Sequence, residues 1–501
     1  MARPSQSFRL LEATIADILG AYETRQISVR ELVQLYLGRI EALDRAGPRI
    51  NSVITVNPHV LEDADELDRK LAAGQVMGPL HGVPVLLKDQ IDAEGMPTTL
   101  GSVLFKNYFP ASDAFVVQRL KAAGALILGK ATLGELGMGD THGSLFGSTR
   151  NPYDLDRTVG GSSGGPAAAV SANLAAVAIG QEALASIRRP AAWTCVVGMR
   201  PTAGLVSRSG VYAGWPGTAA SLGPVTRSVA DQAILLDVLV AYDPEDPITA
   251  LGVGKTEGSF TQALVKHGLK GARIGVLRES FGANSEPGST DFTKVDDVFD
   301  NAVRELGEAG AVVTDPIVIP RLKELLAKRV TDGASGDQAF AEYFRRGKNP
   351  PFRSRQEMLA SPDFAKVRPG PAVPGSGNRV GVGDYLQARE QLMVEVLKVM
   401  ADLQLDAIVY KSVEHQPTLI SEGVRPPFVN IKGATYLNTF LTYVPAVSVP
   451  AGFTSDELPV GITFQGRPYD DARVLGLAYG YEQVTHHRIS PSSCGPLPGE
   501  P

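Results

Sequence analysis

The segment Thr158-Val159-Gly160-Gly161-Ser162-Ser163-Gly164-Gly165-Pro166 sets four glycines around two adjacent serines. Glycine opens backbone conformations closed to other residues, so the run reads as a shaped loop. The apolar stretch AAAVSANLAAVAI, Ala167 to Ile179, follows at once, with Pro166 suited to a first helical turn. It is shorter than the roughly 20 residues a bilayer crossing needs and reads as buried helix. A flexible linker would not run straight into such a stretch. A phosphate-cradling loop would carry the G-x-x-x-x-G-K-[ST] lysine or a G-x-G-x-x-G pattern, and neither is present. A rival reading stays open here: Gly161 to Gly165 satisfies G-x-S-x-G, which would make Ser163 a nucleophile served by a distant His415 or His486.

Working outward from the loop, HGVPVLLKD, GALILGKA and AVSVPAGF are short apolar runs bounded by Gly and Pro, the texture of buried strands. Helical stretches are predicted between them, over Ala114 to Gly124 and Pro166 to Gly180, and strands alternating with helices indicate an α/β layered domain. Near the N-terminus, Ser28 and Glu31 form a capping box ahead of Leu32, Tyr36, Ile40 and Leu43 at helical spacing. The reading is one domain over 1–501. It comprises an N-terminal helical portion (1–75), a core with the chemistry (76–242), a helical and loop insertion covering the site (243–427), a return to the core sheet (428–490) and a flexible tail (491–501). The insertion includes the Pro/Gly-rich segment RPGPAVPGSGNRVGVG, Arg368 to Gly383.

With 501 residues, 44% of them apolar and 20% charged, the chain has the profile of a soluble globular protein with a large core. A net charge of -6 and no basic run longer than Arg188-Arg189 argue against nucleic-acid or anionic-membrane partners. Seven histidines are scattered without HExxH or CxxC spacing, so no metal and no cofactor is expected. Cys195 and Cys494 are too few and too distant for a disulfide framework. The N-terminus MARPSQSFRLLEATIADIL lacks the basic-then-apolar layout of a secretion signal, so a cytoplasmic location is expected.

Two further segments bear on the serine loop: GPLHGVPVLLKDQID, with Lys88, and GQEALASIRRPAAWTCVVGMRPTAGLVSRSG, with Ser186. The five positions before Lys88, Val83 to Leu87, are apolar or Pro and would bury it, and a buried lysine must shed its charge or find a partner. Alone, Ser186 would pass for an ordinary loop or cap serine. Together with KAAGALILGKATLGELGMG, VPAVSVPAGF and LPVGITFQGRP, these segments resemble the amidase signature family over almost the whole chain.

The resemblance implies a single large mixed β-sheet sandwiched by helices, carrying a Lys88, Ser162 and Ser186 triad. It implies a cis peptide between Gly161 and Ser162, supporting contacts from Ser163, and an oxyanion hole from the main-chain N–H groups of Ala183, Leu184, Ala185 and Ser186. Leu136, Met138 and Gly139 would line the acyl pocket, and Leu184, Tyr212, Trp215, Tyr436 and Phe440 fall in specificity regions. The implied activity is hydrolysis of the carbon–nitrogen bond of a small or aryl amide, extending to carbamates or esters, with a small-molecule substrate as partner; a homodimer is compatible. Two alternatives are the glutaminase component of a tRNA-dependent amidotransferase and a catalytically impaired binding homologue.

Two departures stand out. The family's T-D-T-G-G-S is here Gln181-Glu182-Ala183-Leu184-Ala185-Ser186, with side chains where two glycines are usual, so backbone donors survive but the pocket narrows. The segment MGDTHGSLFGSTRNP is also one residue shorter than the commoner form.

Overall fold

The computed structural model describes residues 7–212, 220–256, 258–328, 333–345, 347, 349–367, 380–437 and 443–501. Its core is an 11-stranded sheet. In chain order the strands are β1 (Val53–Val56), β2 (Pro84–Lys88), β3 (Leu126–Ala131), β4 (Val177–Glu182), β5 (Val197–Arg200), β6 (Ser221–Thr226), β7 (Arg273–Leu277), β8 (Val312–Ile317), β9 (Ala407–Lys411), β10 (Ala446–Phe453) and β11 (Pro459–Gln465). Across the sheet they run β1-β3-β2-β4-β6-β5-β10-β11-β9-β7-β8. The pairs β3-β2-β4 and β9-β7-β8 are parallel and the remaining pairs antiparallel. The sheet is therefore mixed, as expected.

Strands covered on both faces need uninterrupted apolar runs. Every residue of β2 (PVLLK) and β4 (VAIGQE) is buried, and both carry their polar residues at the C-terminal end. That places Lys88, Gln181 and Glu182 together where the two parallel strands stop, the usual place for a site in an α/β sheet. On the covering layer, α1 (Ile15–Glu23) and α2 (Val29–Arg39) both start with capping boxes, Thr14 with Asp17 and Ser28 with Glu31.

Three expectations are corrected. First, the helix predicted over Pro166 to Gly180 splits: the helix Gly164–Ser171 ends and Val177–Glu182 is β4. Asn173 adopts a left-handed φ of 55°, and its side chain exchanges hydrogen bonds with Glu12 at 2.9 Å each way. Asparagine tolerates that conformation, and the pairing of β4 with β2 on one side and β6 on the other overrides the helix preference of the alanines. Second, the 243–427 region is not only insertion, because β7, β8 and β9 are strands of the main sheet. β8 is half exposed at the sheet edge and lacks a continuous hydrophobic signature, whereas IGVL of β7 and AIVY of β9 are buried apolar runs as continuous as that of β2. The segment 368–379 within that region lies outside the described residues. Third, the 491–501 tail is docked: the fully buried Arg39 donates to Cys494 O at 2.8 Å, Gly495 O at 3.3 Å and Glu500 Oε2 at 2.8 Å. A buried guanidinium has to be supplied with acceptors, and the tail supplies them.

Among the described residues no helix is long and apolar enough to cross a membrane, and no group of three His, Cys, Asp or Glu could hold a metal. Both cysteines are buried and free.

Candidate active site

Lys88, the last residue of β2, is fully buried, and its Nζ lies 2.7 Å from Ser162 Oγ and donates to Gln181 O at 3.1 Å. Burial pushes the Lys88 ammonium well below the usual lysine range, with the Glu182 carboxylate pulling partly the other way. The serine loop comes up to it just ahead of the helix Gly164–Ser171, and the Gly161–Ser162 peptide is cis. Two glycines here are required by space: a Cβ on Gly161 would come within 2.5 Å of Gly139 O, and one on Gly164 within 2.0 Å of Thr141 Oγ1.

Ser163 is oriented differently from Ser162. Its buried hydroxyl donates to Gln181 O at 3.0 Å and accepts from Gln181 N at 3.2 Å, while its N–H donates to Ser186 O at 2.9 Å. The loop is thereby stitched to both the end of β4 and the turn carrying Ser186. His415, the partner that an elbow nucleophile would need, bonds Gln416 O at 2.7 Å through Nδ1 and pairs with Asp291 at 3.3 Å through Nε2. His486 caps the C-terminus of the helix Asp471–Thr485. Neither histidine bonds Ser163, so the geometry does not favour the elbow reading.

Ser186 sits on the turn between β4 and the short helix Arg188–Trp193. Glu182 closes that turn from below: Oε2 accepts from the N–H of Ile187 at 2.9 Å and of Arg188 at 3.0 Å, and Oε1 accepts from Arg188 Nε at 2.9 Å. Burial works to raise the Glu182 pKa, but Arg188 and these donors override it and hold the carboxyl below its usual range. Arg188 then reaches over the turn to Leu184 O at 3.2 Å and across to Thr435 O at 3.3 Å. Among the described residues, none of the N–H groups of Ala183, Leu184, Ala185 and Ser186 has a protein acceptor, and the partly exposed Ser186 hydroxyl has none either. The turn thus leaves four backbone donors and one hydroxyl without protein partners.

The walls differ in character. Leu184 and Ala185 pack with Ala283, Ile431, Ala434 and Tyr436. Leu136, with φ 58°, packs against an aromatic cluster that includes Tyr212, Tyr343 and Phe344. Met138 is 41% exposed, and Gly139 abuts Gly161. Trp215 and Phe440 lie outside the described residues. Sequence reading took Arg188-Arg189 for a short basic run and missed that both side chains are buried in the site. The signal was their position inside the apolar run SIRRPAAWTCVV, since arginines there must find internal acceptors.

The Amidase family model matches residues 31–475. The chain is similar to the A subunit of glutamyl-tRNA(Gln) amidotransferase from Thermoanaerobacter pseudethanolicus, 33% identical, with 97% of this chain and 99% of the relative covered. Among solved structures it resembles native peptide amidase from Stenotrophomonas maltophilia, with a TM-score of 0.83, 33% identity and coverage of 97% of this chain and 99% of that one. It also resembles the glutamyl-tRNA(Gln) amidotransferase A subunit from Thermotoga maritima, with a TM-score of 0.73, 29% identity and coverage of 96% and 98%. With its mixed sheet, its serine loop and a match over most of its length, the chain belongs to the amidase signature family, whose enzymes hydrolyse amide carbon–nitrogen bonds.

Proposed function

We propose that the protein is a stand-alone amidohydrolase that cleaves neutral amides through an acyl-enzyme on Ser186. The observation that carries the reading is the fully buried Lys88–Ser162 contact of 2.7 Å, a lysine held toward its neutral form against a hydroxyl. Ser186 Oγ attacks the substrate carbonyl and gives its proton to Ser162 Oγ, which passes its own proton to Lys88 Nζ. The tetrahedral oxyanion takes the N–H groups of Ala183 to Ser186, an arrangement worth about 3 kcal/mol per donor. As the C–N bond breaks, the proton returns through Ser162 to the leaving nitrogen. Water then attacks the ester by the same relay, releasing the acid and restoring Ser186.

The substrate side favours an uncharged acyl group. Leu184 and Ala185 on the turn pack with Ala283, Ile431, Ala434 and Tyr436, and an apolar wall beside Ser186 suits a small apolar amide. The similarity to curated amidotransferase chains favours a second reading, the glutaminase component of such an assembly. Sequence identity leans to that second reading, with the amidotransferase A subunits from Symbiobacterium thermophilum and Moorella thermoacetica 36% and 35% identical against 33% for the peptide amidase. The fold match leans to the stand-alone enzyme, with TM-scores of 0.83 against 0.73.

The test uses the purified chain alone. Peptide amides, acylanilides, carbamates and glutamine are assayed for release of ammonia or amine. Turnover of neutral amides with glutamine untouched supports the proposal, and glutamine hydrolysis alone moves the assignment to the glutaminase reading. No turnover of any substrate, with no fluorophosphonate labelling of Ser186, removes both in favour of a binding role.

A further inference from the structure

Arg189 makes a set of contacts that the relay itself does not use. It is 1% exposed, lies on the helix Arg188–Trp193 and stacks its guanidinium against the Trp193 ring, 5.6 Å from the centroid. One terminal nitrogen donates to Gly161 O at 2.8 Å and to Gly139 O at 3.3 Å, and the other pairs with the Asp140 carboxylate. Gly161 O belongs to the peptide whose other end is Ser162. Gly134 N donates to Ser162 O at 3.0 Å, so the peptides on both sides of Ser162 are tied down.

Asp140 extends the network to the opposite wall. Its Oδ1 also accepts from Ile431 N at 3.4 Å, and its own N–H donates to Asn430 Oδ1 at 3.0 Å. Ile431 in turn packs in the same small cluster as Leu184 and Ala185. A single ion pair, buried on both sides, therefore joins the loop of Met138 to Asp140, the peptide before Ser162 and the wall next to the Ser186 turn.

We infer that Arg189, held by Asp140, is a positioning residue for Ser162, fixing the relay hydroxyl between Lys88 and Ser186 and tying its position to the Ile431 wall. The inference rests on the Ser162 relay proposed above. Arginine suits the task because its planar fork serves several acceptors at once, which a lysine ammonium on a flexible stem does not reproduce. Displacing a reacting group by about 1 Å costs on the order of 100-fold in rate, so the effect belongs in kcat.

The experiment compares Arg189→Met, Arg189→Lys and Asp140→Asn with the parent, using the neutral amide it turns over best. Arg189→Met keeps the apolar stem over Trp193 and loses every donor. Its kcat is expected to fall about 100-fold with KM changed less than about threefold, and added guanidinium to restore part of the rate. Asp140→Asn, which keeps an acceptor oxygen, is expected to lose less, with Arg189→Lys between the two. A crystal structure of Arg189→Met supplies a readout independent of turnover, in which the Ser162–Lys88 contact of 2.7 Å should lengthen. If Arg189→Met does not fold, the Arg189→Lys and Asp140→Asn pair carries the same kcat-against-KM comparison and the same structural measurement. Parental kcat in the variants, a loss confined to KM, or an undisturbed Ser162 overturns the inference. An inactive parent whose Ser186 resists fluorophosphonate overturns the relay reading instead, and the crystallographic distance still decides what Arg189 holds.

Discussion

Lys88 Nζ and Ser162 Oγ lie 2.7 Å apart with neither side chain exposed to solvent, and Gln181 O takes a second hydrogen bond from the amine. A lysine so placed works as a base only when neutral. Its pKa is depressed by burial, so kcat/KM should rise with pH as Lys88 loses its proton and level off above that point, well below the ordinary lysine range. Lys88→Met should remove this rising limb together with at least about 1000-fold of activity. A limb that persists unchanged in Lys88→Met would assign the titration elsewhere.

The same shift has a consequence for stability. Between its folded and unfolded pKa values Lys88 is neutral in the native state and charged in the unfolded chain, so the unfolded state binds the extra proton. Stability from this group therefore rises with pH across that window and is complete above the unfolded value. Denaturant titrations of parent and Lys88→Met over that range should show a shallower pH slope in the variant. Parallel slopes would mean that the native lysine keeps its proton.

Ser162 and Ser163 are neighbours in sequence with separate expected roles. Ser186→Ala should abolish fluorophosphonate labelling and Ser162→Ala should slow it strongly. Ser163→Ala should leave labelling at Ser186 while costing about 1–3 kcal/mol of stability, because Gln181 O and N lose a buried partner. Mass spectrometry of the labelled peptide distinguishes the three. A label on Ser163 would restore the elbow reading.

Legibility in the sequence followed physical range. Lys88 was readable because five apolar or Pro residues in a row leave the sixth side chain no route to water, and the Ser28–Glu31 cap because its partners are three residues apart. What failed depended on distant contacts. Nothing local distinguishes Ala167–Ser171, which is helix, from Val177–Glu182, which is strand, until Asn173 meets Glu12. The edge strand Val312–Ile317 is similarly invisible because its outward positions are polar or exposed. At the site the acceptors of Arg189 come from residues 139, 140 and 161, so no spacing rule could have paired them.

The Leu184-Ala185 pair should control acyl size. Replacing both with glycine keeps the four free N–H groups and removes the packing against Ile431, Ala434 and Tyr436. Stability should fall by about 2 kcal/mol from lost burial and added backbone freedom. The ratio of kcat/KM for a bulky over a small acyl group should rise about tenfold, the scale set by a side chain's worth of pocket. Kinetics on an acyl-length series measures this, and an unchanged ratio would place the acyl group away from the turn.

The C-terminal tail should contribute as much to stability as a core contact. Deleting residues 491–501 removes Cys494 O, Gly495 O and the Glu500 carboxylate from Arg39, leaving only Asn173 O at 2.8 Å and Ala172 O at 3.0 Å. An uncompensated buried charge costs about 3–5 kcal/mol, far more than an exposed tail could. Chemical denaturation of the truncated chain should show that loss, with turnover at low temperature little affected because α2 lies outside the site. Arg39→Met in the truncated background should recover part of it by removing the stranded charge, whereas in the full-length chain the same change strands Glu500 and destabilises. If truncation costs nothing, or if Arg39→Met is equally damaging in both backgrounds, the tail is not what satisfies Arg39.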